Sequence, residues 1–299
     1  MYKETAKEVL DFIQKSPSCF HAVHEMGRQL RENGFEELRE TDRWSLKKGG
    51  SYFATRNGSS LIAFRIGSKL DDYHFQVTSS HCDSPTFKVK EKAELKGKGG
   101  YLQLNTEGYG GMICSSWMDR PLSLAGRVLV REGNVISSRL IAFDRDLLII
   151  PSVAIHMNRN INDGFAYNKQ VDMLPLFSAG ECGENSYREL IAGELGVSAD
   201  SILGMDMYLY SRTAPSIWGA KEEFISSPKL DDLQCAYTSL KAMIQGKNDR
   251  CVTVYACFDN EEVGSGTKQG ACSTFLRDVL RRINDGLGFD GEDYRRAVA

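Results

Sequence analysis

The stretch VTVYACFDNEEVGSG, residues 252–266, joins an apolar run to three carboxylates, which Gly264 follows closely. The run VTVYACF predicts a buried β-strand, which Asp259, Glu261 and Glu262 follow at once. Carboxylates crowded at a strand end repel one another and lose solvation, a cost that a bound cation or a shared catalytic proton relieves. With a metal present, one glutamate can bind it while its neighbour acts as general base. A solvated acidic loop is the alternative interpretation.

A second strand leads to a histidine and an aspartate. HFQVTSS, residues 74–80, predicts a strand that ends just before His81, and Asp83 follows two positions later. An α/β sheet presents functional groups at its strand ends. In such a triplet the histidine can bind a metal through one ring nitrogen while the aspartate accepts the other N–H. A loop histidine beside a turn aspartate would look the same, so the triplet alone leaves both interpretations open.

A third acidic position opens a helix. In SPKLDDL, residues 227–233, Asp231 follows a proline-containing turn, and by itself it is best explained as an N-terminal helix acid. Its functional interest comes from the other segments. A histidine, an isolated aspartate and a glutamate pair on separate loops make the ligand set of a two-metal hydrolase, in which one carboxylate bridges the cations.

The order of predicted elements indicates an α/β domain with an insertion. Helices are predicted near both ends of the chain, a hairpin is predicted around Asn57-Gly58, and helix and strand alternate again after residue 228. Between them, short apolar runs alternate with Gly, Asn and charged turns, which is typical of an all-β module. We therefore expect an α/β domain formed by residues 1–90 and 223–299, and a β-rich domain formed by residues 91–222.

Composition sets broad limits on function. The chain has 299 residues, a net charge of −3, 41% hydrophobic and 26% charged residues, which excludes collagen, coiled-coil and largely disordered chains. This balance gives no electrostatic reason to expect a nucleic acid or a membrane as partner, and no apolar run approaches about 18 residues. Eight scattered cysteines and a charged N-terminus favour reduced thiols in a cytoplasmic protein. His21, His24 and His74 have no evident partners and are interpreted as structural or surface residues.

Taken in order, the segments resemble the aspartyl aminopeptidase family of co-catalytic zinc metallopeptidases. The resemblance covers essentially the whole chain, and several of the motifs are long, which makes chance agreement improbable. They are SPSCFHAV (16–23), SSHCDSPTFKVK (79–90), EGYGGMICSSWMDRPLSLAGRV (107–128), IPSVAIHMNRNINDGFAYNKQ (150–170), SPKLDDL (227–233) and FDNEEVGSGTKQGA (258–271).

The resemblance implies a zinc-aminopeptidase-type α/β/α proteolytic domain, interrupted by a β-rich assembly domain. Members of the family form homo-oligomers, large tetrahedral dodecamers that enclose their active sites. His156, in the motif SVAIHMNRN, matches a family histidine that reaches into the active site of a neighbouring subunit. A structural histidine in a β-rich module is the alternative for this residue.

The resemblance also implies a residue for each role at a site with two divalent cations, zinc in the family. His81 would bind one metal and Asp83 would orient it, Asp231 would bridge the two metals, Glu261 would be the general base, and Glu262 would bind the second metal. The expected reaction is removal of the N-terminal residue from peptide substrates by a metal-activated water. The family often prefers an acidic first residue, and nothing in this chain fixes that preference.

One departure from the family pattern affects these expectations. The family continues to a further metal-binding aspartate and a final metal-binding histidine, whereas no histidine follows Glu262 in this chain. A chain truncated in this way is expected to leave each metal one protein ligand short and the α/β domain incomplete. The alternative to an aminopeptidase is therefore a truncated, catalytically impaired homologue that acts only as an assembly scaffold.

Overall fold

The computed structural model describes residues 2–299, which fall into two compact units. The first unit runs to Ser84 and resumes as Pro215–Ala299, and the second is the continuous segment Pro85–Ala214. The helices are α1 Tyr2–Gln14, α2 Cys19–Glu32, α3 Ser186–Leu195, α4 Leu230–Gln245, α5 Phe275–Gly286 and α6 Gly291–Ala297. The strands are β1 Glu36–Leu38, β2 Ser51–Arg56, β3 Ser60–Ile66, β4 Phe75–His81, β5 Thr86–Lys96, β6 Leu102–Tyr109, β7 Leu122–Glu132, β8 Val135–Ala142, β9 Leu176–Ser178, β10 Ile202–Ser211, β11 Ser216–Trp218, β12 Phe224–Ser226 and β13 Val252–Phe258.

The first unit is built on a mixed five-stranded sheet in the order β1-β2-β3-β13-β4. Strands β2 and β3 form the hairpin predicted at Asn57-Gly58, and β13 pairs antiparallel with β3 but parallel with β4. Both hairpin residues have positive φ, 58° for Asn57 and 67° for Gly58, the backbone conformation that Asn-Gly turns supply. Because β13 lies inside the sheet, residues far apart in the chain become neighbours at its ends.

Both faces of this sheet are covered by helices, as strand β3 shows. Its side chains alternate, so that Leu61 and Ala63 join the core under α1, α2 and α4, whereas Ile62 and Phe64 join the core under α5. A strand buried on both faces reads as a continuous apolar run, which describes β13 as well. The first unit is therefore an α/β/α layer structure, and the α/β fold class expected from the sequence is confirmed.

The second unit is built on an antiparallel sheet in the order β8-β7-β10-β5-β6-β9. It has a core of its own, in which side chains of β5, β6, β7 and β10 pack with the helix α3. Gly126 in β7 lies directly against the neighbouring strand, because a Cβ atom at this position would come within 2.0 Å of the carbonyl oxygen of Asp206. The close pairing of β7 with β10 thus requires a glycine there.

Two details of the second unit differ from the sequence-based expectation. The unit begins at Pro85 and ends at Ala214, earlier at both ends than the segment 91–222. The first difference arises because β5 is one continuous strand of the second sheet, and the second because the hairpin β11-β12 belongs to the first unit. The unit is also not all-β, since it contains the ten-residue helix Ser186–Leu195.

Candidate active site

Two parallel strand ends create the site in the first unit. In the register of β4 and β13, His81 is the partner of Phe258, so the last residues of the two strands lie side by side. The backbone N–H of Cys82 donates to the carbonyl of Phe258 at 3.0 Å, which extends the pairing past the strand ends. The segment that follows each strand therefore leaves the sheet at the same edge, where α/β proteins place their functional groups.

Three of the residues singled out in the sequence meet at this edge. Single ligand atoms of His81, Glu261 and Glu262 all lie within 4.8 Å of one another. Asn260 brings the two glutamates into place because its left-handed backbone, with φ of 63°, turns the chain into the short 3₁₀ helix Glu261–Val263. The side chain of His81 is only 13% exposed, whereas that of Glu261 is 57% exposed. The cluster is thus anchored in the protein on one side and open on the other.

The Asp83 carboxylate ties the histidine to the glutamates. It is buried, 3% exposed, and its two oxygens accept the backbone N–H groups of Glu261 at 3.2 Å and of Glu262 at 3.1 Å. Nδ1 of His81 lies 3.1 Å from the backbone carbonyl of Asp83 and 3.4 Å from its Oδ1. Asp83 therefore holds both the imidazole on one strand end and the acidic turn after the other, which goes beyond the orienting role expected from the His-x-Asp spacing.

The turn before α4 adds two aspartates. Oδ1 of Asp231 lies 3.4 Å from Nε2 of His81, and its side chain is 87% exposed. The carboxylate of Asp232 accepts the backbone N–H of His81 at 3.0 Å, with Oδ2 3.9 Å from Nε2 of the same ring. Asp231 was expected here from the sequence, but Asp232 was given no role. The only available signal for it was that a second acid directly follows the first.

The charges of the cluster act on the ring and on Glu262. Burial alone would lower the pKa of His81, but the hydrogen bond and charge of Asp83, with the charges of Asp232 and Glu261, raise it to about 9. Burial raises the pKa of the Glu262 carboxyl, and the charge of Asp83 adds to this effect. A group of carboxylates that stabilises an imidazolium so strongly also suits a divalent cation in its place. Imidazole nitrogen and carboxylate oxygen are donors that zinc accepts, so these residues fit a zinc ion.

Of the three acids that follow strand β13, Asp259 is the one that is not part of the ligand cluster. It is 3% exposed, and one carboxylate oxygen accepts the backbone N–H of Asn260 at 2.8 Å. Burial raises its pKa to about 6. Its backbone N–H donates to the Ser60 hydroxyl at 3.2 Å. Asp259 therefore shapes the turn that carries the two glutamates.

A cleft lies beside the cluster. Its volume is about 230 Å³, and it is lined by Ser79, Ser80, His81, Phe258, Glu261, Ser265 and Ala271. His81 and Glu261 therefore border a space that a small molecule or the end of a peptide can enter. His156, also expected to be functional, belongs to the second unit, where it is exposed in the 3₁₀ helix Ile155–Met157. It is not among the residues that the first unit brings together.

An imidazole and carboxylates at the carboxyl edge of an α/β sheet define a metal-dependent hydrolase centre as the class of site. The chain belongs to the family of aminopeptidase I zinc metalloproteases (M18), whose profile matches residues 12–298. This membership makes the chain a zinc metallo-aminopeptidase by class. The resemblance to zinc aminopeptidases, drawn from the motifs, is thereby confirmed.

Individual relatives agree with the family assignment. A probable M18 family aminopeptidase 2 of Clostridium acetobutylicum is 46% identical over 301 residues, 99% of this chain and 70% of that protein. A chain in the cryo-electron microscopy structure of the Ape4 and Nbr1 complex matches with a TM-score of 0.89 and 36% identity over 95% of this chain and 59% of that one. The mApe1 dodecamer of S. cerevisiae matches with a TM-score of 0.81 and 26% identity over 97% of this chain and 68% of that one. The chain thus spans 59% to 70% of the length of these relatives.

Within residues 2–299, no helix is both long and apolar enough to cross a membrane.

Proposed function

We propose that this chain removes the N-terminal residue from peptides, with His81, Asp231 and Glu262 holding two zinc ions and Glu261 acting as general base. The observation that carries the proposal is the convergence of His81, Glu261 and Glu262 ligand atoms within 4.8 Å, in a chain of the M18 family. Asp231 supports it further, since its exposed carboxylate lies 3.4 Å from Nε2 of the same imidazole ring.

The roles follow from burial and contacts. Glu261 has the more exposed carboxylate, so it can take a proton from water in the cleft and later deliver it to the leaving amine. Asp83 holds the Glu261 and Glu262 backbone and keeps the imidazole of His81 oriented, which limits the motion of the whole donor set. When bound, zinc supplies Lewis acidity that polarises the scissile carbonyl and lowers the pKa of water. The ring of carboxylates also attracts the positively charged amino terminus of a peptide, which favours N-terminal cleavage.

Separate substitutions of the two glutamates test the assignment. Glu261→Gln is expected to keep zinc but to lose at least 100-fold in kcat on an aminoacyl-naphthylamide, since general-base catalysis contributes about 10²–10⁴-fold. Glu262→Gln is expected to lose zinc as well as turnover. Zinc content is measured by elemental analysis after dialysis, and Glu292→Gln, an exposed glutamate paired with Arg295 on α6, serves as the control.

A result of a different kind would overturn the proposal. If the wild-type chain carried no zinc and showed no turnover with any aminoacyl substrate, while still assembling, it would be a scaffold rather than an enzyme. If Glu261→Gln lost zinc while Glu262→Gln kept zinc but lost turnover, the two glutamates would have exchanged roles.

We also propose that the second unit mediates assembly into a homo-oligomer, a dodecamer as in the solved mApe1 structure. The support lies in exposed apolar side chains of this unit, of which Ile113, Val135, Met157 and Val171 are each more than 60% exposed. His156 lies beside Met157, so we propose that it reaches the active site of a neighbouring subunit. Native mass spectrometry tests the assembly. His156→Ala should then lower kcat without lowering zinc content, and a strictly monomeric, fully active chain would contradict this proposal.

The cysteines support a location in the cytoplasm, which we propose as the compartment of this enzyme. All eight are free thiols, and three of them, Cys82, Cys251 and Cys257, are buried in the first unit. Buried thiols without disulfides are typical of proteins in reducing compartments. Fractionation of the source cells, followed by immunodetection, tests the proposal. Recovery of the protein outside the cytoplasmic fraction would refute it.

A further inference from the structure

The proposed function has so far given no role to the N-terminal motif SPSCFHAV, whose first residues form a buried loop. Ser16, Pro17 and Ser18 connect α1 to α2 and are all buried. Ser18 directly precedes α2, and its backbone carbonyl accepts the N–H of Ala22 at 3.0 Å. Its hydroxyl lies 2.8 Å from Nδ1 of His21. The loop is therefore held in place by the helix that it starts.

The partner of this loop is Lys229, two residues before Asp231. Its Nζ donates to the carbonyl of Ser16 at 2.9 Å and also to the carbonyl of Pro17. Lys229 also affects His21. Burial and then the charge of Lys229 lower the pKa of the His21 ring to about 4. Two backbone carbonyl oxygens of the loop therefore accept hydrogen bonds from one side chain, that of Lys229, which belongs to the later chain segment of the first unit.

The backbone of Lys229 is in an unfavourable conformation. Its φ of 60° and ψ of 28° lie in the left-handed region, which side-chain-bearing residues other than Asn and Asp rarely occupy. Such a conformation persists only where surrounding contacts over-determine it. The two hydrogen bonds to the α1–α2 loop are contacts of this kind, because they hold the lysine side chain against that loop.

The three residues after Lys229 connect its turn to the candidate active site. Leu230 packs against the core beneath α1, α2 and α4, and the carbonyl of Asp231 accepts the Ser84 hydroxyl at 3.2 Å. The Asp232 carboxylate accepts the backbone N–H of His81 at 3.0 Å. Three consecutive residues after the lysine therefore each have a fixed partner, and two of these partners belong to the segment that carries His81.

We propose that Lys229 is a positioning residue for the metal site: by binding the Ser16 and Pro17 carbonyls, it fixes the turn that presents Asp231 and Asp232 to His81. This role rests on the proposed function, and it gives the N-terminal motif a purpose in the same reaction. Lys229 itself is not one of the residues that line the cleft or supply the clustered ligand atoms. Desolvation lowers its pKa to about 7, and both the ammonium and the neutral amine can donate to two carbonyls.

A second lysine provides a matched control. Lys241 lies on α4 and also reaches the N-terminal helix α1, where its Nζ donates to Glu8 and, at 3.4 Å, to the hydroxyl of Thr5. Lys241→Met and Lys229→Met therefore each remove one lysine link between α4 or its preceding turn and the N-terminal segment. Only Lys229→Met removes a link to the turn that carries Asp231. Lys229→Arg restores donors at the same position.

The experiment compares these three variants with the wild type in the full chain. Zinc affinity is measured by competition with a chromophoric chelator, kcat and KM with an aminoacyl-naphthylamide, and amide hydrogen exchange of the metal-free protein in the peptide covering Ser227–Leu233. For Lys229→Met we expect at least tenfold weaker zinc affinity, at least tenfold lower kcat with KM within threefold, and faster exchange in that peptide. Lys241→Met should match wild type in all three, and Lys229→Arg should recover most of the loss.

The outcomes separate this inference from the proposed function. If wild type binds zinc but hydrolyses nothing, the aminopeptidase proposal fails, while zinc affinity and exchange still decide the role of Lys229. If wild type binds no zinc, exchange decides alone. Unchanged exchange in Lys229→Met would overturn the inference, as would equal losses in Lys229→Met and Lys241→Met.

Discussion

The carboxylate of Asp83 illustrates how one side chain determines the geometry of a whole site. Each of its oxygens accepts a different backbone N–H, that of Glu261 on Oδ1 and that of Glu262 on Oδ2. Both oxygens are therefore used as acceptors, and one of them also faces the ring of His81. Only an ionised carboxylate offers two acceptors at this spacing, because an amide of the same shape presents one oxygen and one NH₂ group.

Asp83→Asn is therefore expected to weaken zinc binding although the change in volume is negligible. The new NH₂ group would face a backbone N–H, so one of the two hydrogen bonds to the acidic turn would be replaced by a donor–donor contact. Loss of such a supporting contact costs about 10- to 100-fold in metal affinity. The affinity is measured by chelator competition on the folded variant.

Asp119→Asn provides the control for this substitution. Asp119 also accepts a backbone N–H, that of Ser152 at 2.8 Å, but its second partner is the Ser152 hydroxyl, which can reverse its direction and accept from an amide. Zinc affinity should remain within about twofold of wild type. Equal affinities for Asp83→Asn and wild type would show that Asp83 does not support the donor set.

At this scale the sequence predicted the residues that lie in short local motifs. His81 with Asp83, and Glu261 with Glu262, were found because each pair directly follows a predicted strand. The contacts of Asp232 and Lys229 could not be predicted in the same way. Each joins a side chain to a backbone group more than 150 residues away, and a backbone group carries no residue-specific signal in a sequence.

Among the elements, the central strands of the second unit are joined by a charged group that lies between them. Asp206 on β10 pairs with Arg127 on β7 at 2.8 Å and with Lys88 on β5 at 2.9 Å. Burial alone would raise the pKa of Asp206, but the hydrogen bonds from Arg127 and Lys88 outweigh it and lower the pKa below its ordinary value of 3.8. A carboxylate with a depressed pKa stabilises the folded state above the unfolded-state pKa, and this stabilisation is lost as the pH falls through the folded-state pKa.

Asp206→Asn should consequently destabilise the protein at pH 7 by about 1–3 kcal/mol, the usual range for hydrogen bonds to a charged group. The difference from wild type should stay constant down to about pH 5 and shrink below about pH 4, first because the unfolded-state carboxyl takes up a proton and, at lower pH, because the folded-state carboxyl does so too. Urea unfolding at pH 7, 5 and 3 measures it. Asp144→Asn removes an exposed partner of Arg212 and should cost under 1 kcal/mol at each pH. A pH-independent difference for Asp206→Asn would contradict the assignment.

The elements predicted correctly are those with strong local signals. The first two helices, the Asn57-Gly58 hairpin and the strand Val252–Phe258 all have a clear period or turn residue, and the structure contains each of them. The helix α3 was missed because it spans only ten residues between segments with strand-like runs. Gly196, which closes it with a left-handed φ of 65°, was the available signal, since glycine there is typical of a helix end.

Across the whole molecule, the two units differ in how the chain builds them. The first is discontinuous, because strand β13 and helix α4, which complete its sheet and core, follow the second unit in the chain. The second consists of one segment whose core residues all lie between Phe87 and Leu209. In the sequence, an insertion was predicted because short apolar runs alternate with turn residues in the middle of the chain. The exact boundaries depend on which sheet each border strand joins.

A fragment of residues 85–214 is therefore expected to fold on its own. At about 130 residues it has the usual size of a domain, with its sheet order and core intact. It should unfold cooperatively on heating when followed by circular dichroism. A fragment of residues 1–84 should show no cooperative transition, because β3 and β4 would lack β13, the strand that pairs with both. Cooperative unfolding of residues 1–84, or its absence in residues 85–214, would mean that the two units do not fold as the strand pairing requires.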